Sequence, residues 1–108
     1  VEAGESVEGT AVREVREETG LEGKVVTKLG DITYWYTLKD NRAEPERIFK
    51  RVYFYLLRYE GGDVRRHDAE VDEAAWFPIS DAAQKLAYPS EKKILYNAVE
   101  WIERKGPA

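Results

Sequence analysis

The sequence contains no cysteine, which excludes disulfides and thiolate metal sites. That composition fits a reducing compartment, and the expected location is the cytoplasm. No apolar run approaches the length of a membrane span and no signal-peptide pattern is visible, so no membrane partner is expected. Internal repeats and low-complexity linkers are also lacking. The single histidine, His67, lies in a polar stretch and is assigned no catalytic role. There is no basic excess either: 17 Lys and Arg against 21 Asp and Glu leave a net charge of -4. A protein that tracks long nucleic acid carries a basic stripe, so no such partner is expected. A small phosphorylated ligand stays compatible, because a bound metal reverses the local field.

The 108 residues suffice for one domain with one modest core. Apolar residues at 43% and charged residues at 35% give a globular balance and argue against disorder. The first segment predicts a helix from Ser6 to Thr19. Ser6 is its N-cap, Glu8 favours the positive end of the dipole, and Gly20 is the stop. Val7, Ala11 and Val15 form its apolar stripe. Val25 to Leu38 reads as a strand, a kink at Gly30 and Asp31, and a second strand. Ile48 to Tyr59 is the strongest strand. Val52, Phe54 and Leu56 line one face and Tyr53, Tyr55 and Leu57 the other, which predicts a central strand covered on both sides. Gly61-Gly62-Asp63 is a turn, Arg65 to Glu73 a loop, and Ala74 to Pro78 a short strand. Ser80 and Asp81 precede a short helix over Ala82 to Leu86. A last helix follows Pro89, with Ile94, Leu95, Ala98, Val99 and Ile102 at helical spacing. Strands flanked by helices predict an α/β/α sandwich around a mixed sheet.

Chemistry concentrates in Glu5 to Leu21, ESVEGTAVREVREETGL. Glu14, Glu17 and Glu18 are spaced three and four apart and share one helix face. Like charges at that spacing repel by about 0.2–0.5 kcal/mol per pair. They also stand near the helix C-terminus, where the dipole disfavours them. Arg13 and Arg16 relieve only part of this. Divalent cations relieve more, since Mg²⁺ takes carboxylate oxygens together with substrate phosphates. The bland alternative is a solvated acidic face.

The spacing resembles the Nudix box, a glycine, five residues, Glu, seven residues, then Arg-Glu-apolar-x-Glu-Glu-x-Gly-apolar. Glu5, seven residues, and then Arg13 to Leu21 match without a gap. The opening glycine would lie upstream of Val1, so residues 1–108 are expected to form a single Nudix domain that starts inside the box and lacks its N-terminal strands. A sheet short of strands exposes unpaired backbone, which makes a homodimer an expected partner. The resemblance implies metal-dependent hydrolysis of a phosphoanhydride in a nucleoside diphosphate linked to another moiety, a nucleoside triphosphate or a dinucleoside polyphosphate. The alternative is a catalytically silent nucleotide-binding or dimerisation module.

By the same resemblance Glu14, Glu17 and Glu18 are the ligands of Mg²⁺ (or Mn²⁺). Glu14 or a neighbour also serves as general base, and Arg13 orients the catalytic loop against Glu5. An acidic residue often precedes a Trp-containing strand in this family. Glu70, six residues before Trp76, is the candidate for a further ligand or base, with Glu73 as competitor. For the small nucleotide substrate the candidates are Tyr34, Lys50, Arg51, Tyr53, Tyr55 and Tyr88, with Lys92 a further one. Aromatic faces stack on bases and cations meet phosphates, although sheet packing and solvated charge explain the same residues. The stretch from Gly30 to Leu95 is similar to MutT-like and diadenosine-polyphosphate-hydrolase-like members.

Overall fold

A computed structural model describes residues 4–38, 44–68 and 73–106. Helix α1 spans Val7–Thr19, strand β1 Leu21–Leu38 and strand β2 Glu46–Gly62. A 3-10 turn over Val64–Arg66 follows, then α2 (Ile79–Lys85) and α3 (Pro89–Lys105). The architecture is α/β, with helices on both sides of the sheet. Among the described residues the sheet is one antiparallel pair of β1 and β2.

Each element has a local cause. At the start of α1 the Gly9 N–H donates to Ser6 Oγ at 3.0 Å. At its end Gly20 takes φ 78°, a left-handed conformation that costs most residues but not glycine. The chain passes so close here that a Cβ on Gly20 would collide with the Asp63 carbonyl and the Arg66 Cβ. Pro89 stands at the first turn of α3, where its missing N–H costs nothing.

The expected kink at Gly30 and Asp31 is instead one continuous strand. β1 absorbs the irregularity through register shifts at Glu22/Gly23, Val25/Thr27 and Lys28/Gly30. β2 pairs only with β1 among the described residues, so the central strand expected from its two apolar faces is not seen there. Ala74 to Pro78 forms no strand, since alanine and proline are poor strand formers and no partner strand lies alongside. Trp76 instead packs edge-on against Tyr59, with ring centroids 5.4 Å apart.

From Asp31 to Leu38 the register with β2 is unbroken, so cross-strand partners share a face. Tyr34 and Val52 lie on one face, and Arg51 and Tyr53 on the other. α3 covers the first. Tyr34 Oη donates to Glu91 at 2.9 Å and Asn97 Nδ2 donates to the Leu29 carbonyl at 3.4 Å. α1 flanks the second, where Val7, Thr10, Ala11 and Glu14 share a groove with Arg51, Tyr53 and Tyr55. No described helix is long and apolar enough to cross a membrane.

Candidate active site

Helix α1 is held rigidly at the end that carries the acids. Thr19 Oγ1 donates to the Val15 carbonyl at 2.6 Å and accepts from the Leu21 N–H at 3.1 Å. The carbonyls of Glu17 and Gly20 accept from the Asp68 and Asp63 N–H groups at 3.1 and 3.2 Å. The last turn of α1 is thereby bonded to the segment that leaves β2.

At the other end Glu5 is fixed from two directions. Arg13 Nε donates to Glu5 Oε2 at 2.9 Å, and Thr10 Oγ1 donates to Glu5 Oε1 at 3.1 Å. Arg13 Nη1 also donates to Glu17 Oε2 at 3.0 Å. The arginine therefore joins the chain before the helix to one acid of the triplet. Its contact with Glu5 is the one expected from the sequence. Thr10 was not anticipated, although it lies five residues from Glu5 on the same side of the first turns. It is buried, and its hydroxyl is satisfied by Glu5 and the Ser6 carbonyl.

Glu14, Glu17 and Glu18 are all exposed. Glu14 borders the groove between α1 and β2, about 340 Å³ in volume, with Val7, Thr10, Ala11, Lys50, Arg51, Val52, Tyr53 and Tyr55. Glu18 borders a second groove of about 320 Å³ with Thr19, Leu21, Val64, Glu73, Ala74, Ala75 and Phe77. The acidic face of α1 thus forms a ridge between two grooves. Glu70 lies outside the described residues. Glu73 is described and shares the groove of Glu18.

The substrate candidates separate into two groups. Arg51, Tyr53 and Tyr55 converge with Glu14, whereas Lys50 borders the groove but is the cross-strand partner of Tyr34 and shares its face of the sheet. Tyr34 and Tyr88 meet each other instead, edge-on at 6.1 Å, on the face that α3 covers. Burial and the hydrogen bond to Glu91 raise the Tyr34 phenol above its ordinary pKa. Lys92 lies farther along α3, beside Ile79, Ala83 and Tyr96. Two residues that the sequence did not single out complete the first group. The Lys28 ammonium lies 4.7 Å from the centre of the Tyr53 ring, and Asp31 is 4.0 Å from Arg51 Nε.

Among the described residues no three Asp, Glu or His side chains already form a metal cage. The donor chemistry nevertheless fits a hard cation. Glu14 and Glu18 are one turn apart, about 5–6 Å between Cβ atoms, within reach of a shared ion after a rotamer change. Mg²⁺ needs only one or two carboxylates when water and substrate phosphates complete its shell. Positive charge on Arg51, an exposed Tyr53 with Tyr55 half-buried beside it, and an acidic ridge together suit a ligand that is both phosphorylated and aromatic.

A family model described as NUDIX domain matches residues 1–98. The chain is 43% identical over its whole length to 43% of a putative mutator protein MutT4 of Mycobacterium tuberculosis. It is 33% identical, over 93% of its length, to 28% of an 8-oxo-(d)GTP phosphatase of Mycolicibacterium smegmatis. It is 36% identical, over 94% of its length, to 54% of an ADP-ribose pyrophosphatase of Methanocaldococcus jannaschii. The chain therefore spans about half or less of the length of these relatives.

Proposed function

The chain belongs to the Nudix family, and from that premise we propose that it hydrolyses a phosphoanhydride bond in a nucleoside diphosphate linked to another moiety. The observation that carries this reading is the convergence of Glu14 with Arg51, Tyr53 and Tyr55 around one groove beside the acidic face of α1. The names of the relatives, which refer to 8-oxo-(d)GTP and ADP-ribose, support a nucleotide derivative as substrate. Residues 1–108 act in this reading as a single domain, and the expected setting is the cytoplasm.

Glu14, Glu17 and Glu18 would hold Mg²⁺ or Mn²⁺, with Glu70 as a further acid. When bound, such an ion offsets phosphate charge and acidifies water. The residues of the chain do the rest. Arg51 draws the phosphates into the groove. Arg13 holds Glu17 to Glu5 and so fixes the direction of the acidic turn. Glu14 accepts a proton from water as its oxygen bonds to phosphorus, and the bridging P–O bond breaks to release the second phosphate. No covalent intermediate is needed.

The test is a product-identified screen of nucleotide substrates with Mg²⁺ and Mn²⁺. Glu17→Gln and Glu18→Gln are expected to cut turnover by about 100-fold or more. Both leave the thermal transition in place, since the two side chains are exposed. Undiminished Mg²⁺-dependent hydrolysis in both variants would overturn the reading. Ligand binding without any product would favour the silent module.

A further inference from the structure

Thr10 is the only buried polar side chain among the described residues, at 7% exposure. It falls within the seven residues that separate Glu5 from Arg13, a stretch whose residue types the box leaves open. A buried hydroxyl costs free energy unless it is bonded, and alanine or valine would occupy the same place without that demand. The Thr10 hydroxyl lies 3.1 Å from Glu5 Oε1 and 3.0 Å from the Ser6 carbonyl, with one proton for the two acceptors. The Ser6 bond is the back-bond that threonine makes within helices generally. The Glu5 bond reaches a charged acceptor outside the helix and is of the stronger kind.

Glu5 precedes the N-cap Ser6, and its carboxylate lies against the first turns of α1. Thr10 holds Oε1, and Arg13 Nε holds Oε2 at 2.9 Å. The last torsion of a glutamate side chain is broad, and a bond at each oxygen narrows it to one plane. The guanidinium is planar and rigid, so once its Nε–H is aimed at Oε2 the direction of Nη1 follows. Nη1 donates to Glu17 Oε2 at 3.0 Å. Two planar groups thus carry the constraint from Thr10 to the acidic end of the helix. Thr10, Arg13 and Glu17 stand three and four apart, on one side of α1. The side chains of Glu5 and Arg13 are each 22% exposed against 51% for Glu17, so the link is shielded up to the acid it serves.

We propose that Thr10 is a positioning residue for the acidic turn. By fixing the plane of Glu5 it aims Arg13, and through Arg13 it holds Glu17 ready for a divalent cation. That the turn takes a cation rests on the hydrolase reading above, whereas the aim of Arg13 does not.

The experiment compares the full-length protein with its Thr10→Val variant, which keeps the shape and removes the donor, and its Thr10→Ser variant, which keeps the donor. Thr10→Ala repeats the comparison if Thr10→Val fails to fold. Heteronuclear NMR follows the Arg13 Nε–H. Its signal is expected to be sharp and slow to exchange in the unaltered protein and in Thr10→Ser, and broadened or fast to exchange in Thr10→Val. Mn²⁺ titration, read by the spin resonance of the free ion, is expected to show binding about tenfold weaker in Thr10→Val, the low end of the loss when a ligand's supporting partner is removed. Thr10→Ser restores it. Under turnover Thr10→Val raises the Mg²⁺ requirement and leaves KM for the nucleotide in place at saturating Mg²⁺, although Thr10 also borders the groove of Glu14. An Arg13 signal unchanged in Thr10→Val, or a loss of Mn²⁺ affinity that Thr10→Ser does not restore, would overturn the proposal. So would a rise in nucleotide KM alone, which would place the effect in the groove rather than behind the acids. A changed Arg13 signal in a protein that hydrolyses no nucleotide would refute the hydrolase reading and leave the aim of Arg13 standing. Hydrolysis with neither readout altered in Thr10→Val would do the reverse.

Discussion

Asp63 sits where the acidic helix, the end of β2 and the 3-10 turn meet. Its carboxylate accepts from the Arg65 backbone N–H at 2.9 Å and from Arg65 Nε and Nη2 at 2.9 and 2.5 Å. Its own N–H donates to the carbonyl of Gly20. The Arg65 side chain, then the Arg65 backbone N–H, lower its pKa from 3.8 to about 2. A carboxyl that titrates lower in the folded chain than in the unfolded one stabilises the fold above the unfolded value. The contribution is complete above about pH 4 and is lost as pH falls through about 2. Thermal melts at low ionic strength are expected to show a shallower decline between pH 4 and 2 in Asp63→Asn than in the unaltered protein. Because the pair is exposed, salt should narrow the difference by screening. Identical slopes for the two proteins at low salt would refute the assignment.

At the scale of elements, the junction of α1 with β1 holds the acids in place. Gly20 combines a left-handed backbone with direct contact to the Asp63 and Arg66 region, so any side chain meets two penalties at once. Gly20→Ala is expected to cost about 2 kcal/mol or more, from left-handed strain of roughly 1–2 kcal/mol plus the collision. At this chain length that corresponds to a fall in Tm of roughly 10 °C. Gly20→Asn relieves the strain but not the collision, and should fall between the two. An unchanged Tm in Gly20→Ala would mean that the junction is looser than its geometry indicates. Gly30 differs, since a Cβ there would meet only the Ile94 terminal methyl at 2.9 Å, which can swing aside, so its backbone φ of 148° carries most of the penalty.

The whole molecule exposes more surface than its mass warrants. Its accessible area is 8475 Å², against roughly 6200 Å² for a compact monomer of this mass. The radius of gyration is 16.1 Å, where about 13 Å is usual for this length. Among the described residues only Ala83 and Ala98 are buried apolar side chains, while Trp76, Phe77, Ile79 and Tyr96 are exposed. One partner of a standard interface buries about 800 Å², so the surplus of about 2300 Å² on a single chain is ample for one. Both strands also have an unpaired edge among the described residues. Residues 1–108 in isolation are therefore expected to bind a hydrophobic dye and to self-associate to a dimer, read as a mass that rises with concentration in sedimentation. A dye-silent monomer across the concentration range would contradict this.

The sequence alone determined what depends on local spacing. Ser6 and Gly20 bound the first helix, the triplet of acids shares its face, and Pro89 opens the last helix, because caps and periods act within a few residues. The box from Glu5 to Leu21 likewise pointed to the family. The strand at Ala74 to Pro78 failed because a strand needs a partner, which composition cannot supply. The tertiary structure alone decided partnership. It brought Tyr53 and Tyr55 to Glu14 while it sent Tyr34 to Tyr88 and Glu91, and it put Glu14 and Glu18 on separate grooves. Those outcomes depend on strand register and on which helix covers which face of the sheet. Both are set by contacts between residues far apart in the chain, where spacing carries no information.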